Sequence, residues 1–398
     1  MVSHMEIALE RGEPESGVMT VSPLLNLPQF HIVWGFVPDY MHCIMLGVAR
    51  QFLKMWLGKT SCPLYIGKYE DDIGHRLVAI TPPREVKRMP RIAKDRRWWK
   101  AKEYENWLLY YSVPVLEGLL DRAGIAHWAC LVEAVHILLK RDISASDIAR
   151  AEELLVEFHV RAEHLYDKVC MTFNVHQLLH IVKSVRQWGP LWAHSAFPFE
   201  AGNGKLKSVV KSVKGVPHQI CRTLQIENVV DNLLQVTTEE RARDYCASLD
   251  TVVTQKTNAV EGVRFFGRGV PYCPPDNYVN LENSVQYARM RTKGMMFTTR
   301  KYAVGKKTNS SAVQLADGSY AVIQKIICRS NIRGYVVVKR LKCTPVKNSL
   351  VTMKHLLRVV KEAATYDLLP ISEISNISVL IQVDKNVHIS PVPSSLTM

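Results

Sequence analysis

Apolar residues recur every three or four positions through several stretches of this chain and give way to strand-like runs toward its C-terminus. From 42 to 57, the spacing of Ile44, Leu46, Val48, Phe52, Leu53 and Trp56 predicts a buried helix. Residues 100–120 predict a long helix, kinked or broken near Pro114, whose ring removes a helix donor. Residues 126–139 are apolar nearly all round, as in a core helix. Ser144, with Asp147 three positions on, offers a capped start to a helix running through Leu154, Leu155, Phe158 and Leu165 to about 169. Further helices are predicted at 174–187 and 218–235. Residues 1–38 contain prolines and no clear period, and read as an extended leading segment. Residues 58–96 are rich in Gly, Pro and Arg and read as irregular.

The pattern changes after about 240. Residues 262–310 are rich in Gly, Arg, Lys, Tyr and Pro and read as weakly structured, so that 241–318 is expected to be a basic linker. From Ser319 the runs are β-like: 320–328, a turn at 331–334, 335–341, then 355–361 and 378–383. The expected fold class is mainly α: a helical domain at 39–240, followed by a small antiparallel β module, sheet or barrel, at 319–398.

Charge narrows the choice of partner. The 398 residues carry 51 Lys and Arg against 37 Asp and Glu, a formal net charge of +14, which favours a polyanion such as nucleic acid. Basic residues concentrate at 84–102, 205–222 and 289–307; Arg91, Arg96, Arg97, Lys100, Lys205, Lys207, Lys211 and Lys214 are the candidate phosphate contacts. Trp98, Trp99, Tyr104 and Trp107 interleave with the first cluster and could stack on bases, or fill a core beneath a solvated basic face. No run of eighteen apolar residues is present, and the N-terminus lacks the pattern of a signal peptide. Nine irregularly spaced cysteines suit reduced, intracellular thiols.

Candidate chemistry concentrates at 171–204. His176 and His180 lie one helical turn apart and can share a zinc ion, or serve as ordinary helix histidines. No Cys-x-x-Cys pair accompanies them. Glu200, between Phe197 and Phe199 and the glycines at 202 and 204, suits a partly buried metal ligand or a helix-start glutamate favoured by the macrodipole. Asp39, three before His42, suits an N-cap.

Six motifs in order resemble the C-terminal half of CACTA-type (En/Spm-like) transposases: residues 22–30, 39–50, 100–116, 174–180, 189–200 and the Asn-Gly at 203–204. The resemblance covers about 20–235. It implies a ribonuclease H-like core, similar in plan to the recombination-activating recombinase, in which two aspartates and a final glutamate hold Mg²⁺ or Mn²⁺. A helical insertion precedes that glutamate, and a Cys-x-x-Cys pair with a His pair binds structural zinc. On that plan Glu200 matches the final acid, His176 and His180 match half of the zinc site, and 40–170 matches the insertion. Both family aspartates and the cysteine pair precede the Ser-Pro-Leu segment, so Asp39 is not one of them. A His-Gly pair common after Asn-Gly is replaced around 211–214.

The resulting expectation is a nuclear, transposon-derived DNA-binding protein, truncated or domesticated and inactive alone, with no stably bound metal and no membrane partner. It would meet DNA weakly, and a full-length transposase or its own copies as protein partners. Two alternatives remain: a non-catalytic interaction or chromatin-associated protein, and an independent metallohydrolase using His176, His180 and Glu200.

Overall fold

The computed structural model describes residues 2–242, 245, 259–260, 262–273, 281, 283–329 and 333–393. Helices occupy the first part and antiparallel strands the second. The leading segment is not wholly extended: α1 spans Val2–Arg11 and buries Met5 and Ala8. Good helix formers on a short apolar stripe outweigh the prolines that follow.

The predicted helix at 42–57 begins as a wide turn, Tyr40–Ala49, and continues as α2, Arg50–Gly58. Within the region read as irregular, α3 forms at Glu70–Val78, with Glu70, Asp71 and Asp72 in its first turn and His75 and Arg76 in its last. Both charge sets complement the helix dipole. The long helix at 100–120 divides into α4 (Ala101–Asn106), a wide turn (Trp107–Tyr111) and α5 (Ser112–Leu116). Pro114 lies inside α5, and the wide turn just before it absorbs the amide that proline lacks. Then follow α6 (Arg122–Leu138), α7 (Ala145–Tyr166), α8 (Phe173–Trp188), α9 (Phe197–Val209) and α10 (Val216–Val236). Ser144 and Asp147 form the predicted reciprocal cap of α7.

The helical core is aromatic. Phe52 on α2 lies 4.9–6.1 Å, ring to ring, from Trp56, His127, Trp128, Phe158 and Tyr166, so one side chain joins α2, α6 and α7. His127 is fully buried, stacks on Phe158 at 4.1 Å and donates from Nε2 to the Phe158 carbonyl at 2.8 Å. Burial pulls its pKa down to about 4.

The reading of 241–318 as a linker is corrected for the residues described there; 243–244, 246–258, 261, 274–280 and 282 lie outside them. Strands β1 (Ala259–Val260), β2 (Val263–Phe266), β5 (Arg289–Thr292) and β6 (Met295–Thr298) pair in the order β1-β2-β5-β6, while β3 (Val270–Tyr272) and β4 (Ser284–Tyr287) join a second sheet. Phe265, Met290, Met295 and Phe297 are buried within a dense run of Arg, Lys and Gly, and that composition hides the alternation. The fold is therefore mixed α and β, and its β part is not small.

The second sheet holds β7 (Ala312–Leu315), β8 (Tyr320–Arg329), β9 (Arg333–Lys347), β10 (Thr352–Glu362), β11 (Asp367–Pro370), β12 (Ile374–Val383) and β13 (Asn386–Pro391). Its order is β11-β9-β10-β13-β12-β7-β8-β4-β3, and β8 also pairs with β9. That pairing closes β8, β9, β10, β13, β12 and β7 into a ring, so these six strands leave no open edge between them. The long β9 makes closure possible: residues 333–341 pair with β8, and 341–347 pair with β10.

The ring and the bundle share one apolar core, which runs from Phe52 and Trp128 to Ile323, Val338 and Ile381. Polar groups lock the junction. The buried Glu133 carboxylate on α6 accepts from the Lys354 amide at 3.1 Å and from His355 Nδ1 at 2.6 Å, and the His355 ring stacks on His136 at 4.0 Å. Burial pushes the Glu133 carboxyl up, but the His355 hydrogen bond and charge with the Lys354 amide hold it below its usual value. Glu85 accepts from the Met296 amide at 2.8 Å, and Arg76 reaches Asp384 at 2.7 Å.

Replacing Glu133 by Ala removes the acceptor at this junction, and a loss of about 3–5 kcal/mol in urea unfolding is expected, as for other broken buried pairs. The acid limb of stability is also specified. His127 and His388 are buried neutral, with pKa values pulled down by burial to about 4 from 6.5. The unfolded chain therefore takes up protons first as pH falls, and up to about 3 kcal/mol per histidine is lost between pH 6.5 and 4. Urea midpoints measured across that range should fall, and less so in His127→Gln; a flat wild-type profile would refute the assignment.

Candidate functional site

Asp39 ends an extended stretch and caps the helical turn at Tyr40. Its Oδ2 accepts from the His42 amide at 2.8 Å and lies 2.6 Å from His42 Nδ1. Its Oδ1 accepts from the Ala196 amide at 2.7 Å, across 157 positions of sequence. Ala196 is the N-cap of α9, the helix that carries Glu200 in its first turn. One carboxylate thus holds both the 39–50 motif and the 189–200 motif in place, with three donors on two oxygens.

Beside it runs a second circuit, buried at Tyr40 and Glu105. The Tyr40 hydroxyl donates to Glu105 Oε1 at 3.0 Å, Glu105 pairs with Lys102, and the Lys102 ammonium sits 5.7 Å from the Phe197 ring centre. The Phe197 ring lies 6.1 Å from Tyr40 and completes the loop. Burial, with the adjacent Glu105 charge, holds the Tyr40 phenol far above its usual pKa, so it remains the donor. Asn174, at the head of α8, lies over Gly47: a Cβ there would come within 2.7 Å of the Asn174 side chain. Cys43 Sγ donates to the Asn174 carbonyl at 3.5 Å. Four of the six motifs, at 39–50, 100–116, 174–180 and 189–200, therefore meet along the segment from Asp39 to Gly47. Sequence inspection missed Tyr40, Lys102 and Glu105; only the burial of Glu105 marks them.

Glu200 itself is exposed, as is Phe199. The expectation of a partly buried ligand is not met, and its first-turn position is the one that the helix dipole favours. His176 and His180 project from α8 with their Nε2 atoms 3.2 Å apart. Two nitrogens on one tetrahedral zinc at ~2.05 Å would be separated by ~3.3 Å, so the pair fits half of a zinc site. Trp34 packs edge-on against His180 at 5.7 Å, and Lys183 sits over Trp34. Burial, with His176 and Lys183 nearby, lowers the His180 pKa. His159 on α7 adds a third imidazole 6.4 Å from His176, with a buried Nδ1 that lacks a hydrogen-bond partner. Its spacing in sequence gives no hint of this. Among the described residues no three His, Cys, Asp or Glu side chains form a group that could hold a metal ion, so His176, His180 and Glu200 do not converge as a metallohydrolase would need.

The basic candidates divide. Arg91 donates to the buried Glu103 at 2.6 Å and to the Trp98 carbonyl at 2.9 Å, and Arg96 pairs with Glu70, so both are engaged within the fold. Arg97 is exposed and lies over Trp98, itself 62% exposed; Lys100 is exposed. Trp99, Tyr104 and Trp107 are buried and belong to the core. On α9 and just beyond, Lys205 pairs with Glu227 at 2.9 Å, Lys211 reaches the Ser208 carbonyl at 2.6 Å, and Lys207 and Lys214 are exposed.

Comparison with protein-family models, curated proteins and solved structures finds no match. Among the described residues no helix is long and apolar enough to cross a membrane.

Asp39→Ala should cost about 2 kcal/mol by removing a helix cap and the Ala196 anchor together. Amide exchange at 196–200 should accelerate more than at α6. Equal acceleration everywhere would show that Asp39 caps one helix and nothing more.

Proposed function

We propose that this chain is a transposase-derived DNA-binding protein of the CACTA type, without strand-cleaving activity by itself. The observation that carries this reading is the packing of α9 and α10. No described residue of either helix is buried, yet they expose Phe199, Leu206, Leu224, Ile226, Val229, Val230 and Leu233. Gly202 and Gly204 each weaken α9 by about 1 kcal/mol, and no atom lies within 4 Å of where their Cβ atoms would sit. A helix pair of this kind needs an apolar partner surface. On the transposase plan that surface is the ribonuclease H-like core against which the glutamate helix packs. The meeting of four motifs along the segment from Asp39 to Gly47 supports the same reading.

In the intact family two aspartates and the glutamate would hold Mg²⁺ or Mn²⁺, which would supply positive charge for in-line phosphoryl transfer. In this chain Glu200 supplies one carboxylate, and Asp39, the acid tied to its helix, is engaged by three donors as a structural cap. His176 and His180 supply two of four zinc ligands. The chain's own contribution is to hold Glu200 and to meet DNA through exposed cations. We place it in the nucleus, with a full-length transposase or its own copies as partners. A second reading, a non-catalytic interaction or chromatin-associated protein, draws on the same apolar face of α10.

Duplex DNA should bind with an affinity that falls steeply with salt, and supercoiled plasmid with Mn²⁺ should remain uncut. Nicking that disappears in Glu200→Ala would overturn the inactive assignment. Absence of binding even at low salt would favour the interaction reading.

A further inference from the structure

The basic residues singled out by clustering in sequence are partly absorbed by ion pairs, but a different set is not. A groove of about 530 Å³ runs between α2 and the start of α8, and Arg50, Lys54 and Lys59 line it together with Gln51, Thr172 and Asn174. No acid is among its lining residues, and among the described residues no carboxylate pairs with these three cations. The contrast with Arg91 and Arg96, both neutralised, is direct.

The groove is built, not incidental. Gln51 donates to the Cys170 carbonyl at 2.7 Å and accepts from the Thr172 hydroxyl at 2.7 Å, so both ends of one amide tie α2 to the α7–α8 connection. Gly47 lets the Asn174 side chain lie against the helix, where a Cβ would come within 2.7 Å. Arg50 and Lys54 are exposed and one turn apart, an arrangement of like charges that destabilises a helix unless an anion comes between them. Lys59 extends the row just beyond the end of α2. Charges about 6 Å apart along a helix suit successive phosphates of a strand better than one small anion.

We infer that this groove is a docking site for the phosphodiester backbone of DNA, with Arg50, Lys54 and Lys59 each meeting a phosphate. The inference rests on the DNA-binding reading and gives it a location that clustering in the sequence did not. At the far end of α2, a Cβ on Gly58 would sit 3.3 Å from Arg96 Nη2.

The test is fluorescence anisotropy of a labelled duplex oligonucleotide with the full chain over 25–200 mM salt, roughly the range in which counterion release is resolved. The triple variant R50Q/K54Q/K59Q should bind roughly ten-fold or more weakly at the low end, and its log–log salt slope should be shallower by about 2–3. The variant K207Q/K214Q, altered on the α9–α10 hairpin, should change the slope less. Arg50 and Lys54 are exposed and Lys59 is half-buried, and an unchanged thermal melt would show that the fold is retained. Wild-type affinity and slope in the triple variant would overturn the groove assignment while leaving the DNA-binding reading intact. Failure of the unmodified chain to bind at all would remove both.

Discussion

The fold turns on a buried carboxylate. Glu133 faces the strand ring from the middle of α6 and stays ionised because the Lys354 amide and the His355 ring donate to it. Removing β10 would leave that charge in an apolar core without a partner, a penalty far larger than any surface ion pair returns. Bundle and ring are therefore not two modules on a tether. Glu85 and Arg76 reinforce the same junction from α3 and its neighbourhood, and one apolar cluster passes through it.

With the body fixed in this way, Asp39 positions the start of α9. Its three donors join the turn at Tyr40 to the start of α9, and the Tyr40–Glu105–Lys102–Phe197 circuit braces the same spot from α4. The outcome is asymmetric. The base of α9 is held firmly, while the helix beyond it, with Glu200, Gly202 and Gly204, stands in solvent beside an equally unburied α10.

Charge tells a parallel story. The net excess of +14 says that a polyanion is a suitable partner but not where it sits. Ion pairs to Glu103 and Glu70 neutralise two of the residues that a cluster in sequence suggests, whereas Arg50, Lys54 and Lys59, unremarkable in sequence, share a groove without an acid. Electrostatic availability depends on which carboxylates the fold brings near, and those come from positions 12 and 26 residues away.

Periodicity and capping alone determined most of the helical part. Because helix formation is governed by neighbours within one turn, the places of α6, α7, α8 and α10 follow from apolar spacing and from Ser144 with Asp147, although α6 starts a turn earlier, at Arg122, than its apolar run. The sequence also marked the 171–204 stretch and the β character after 319. It did not reveal α1 or α3, nor the strands between 259 and 298, where dense Arg, Lys and Gly obscure a short alternation whose burial comes from elements elsewhere in the fold. Closure of the strand ring, the Asp39–Ala196 contact, the exposed position of Glu200 and the third imidazole at His159 all join residues far apart in the chain. Only the tertiary structure decided these, because hydrogen-bond saturation and burial belong to pairs of residues and no local pattern encodes which pairs will meet.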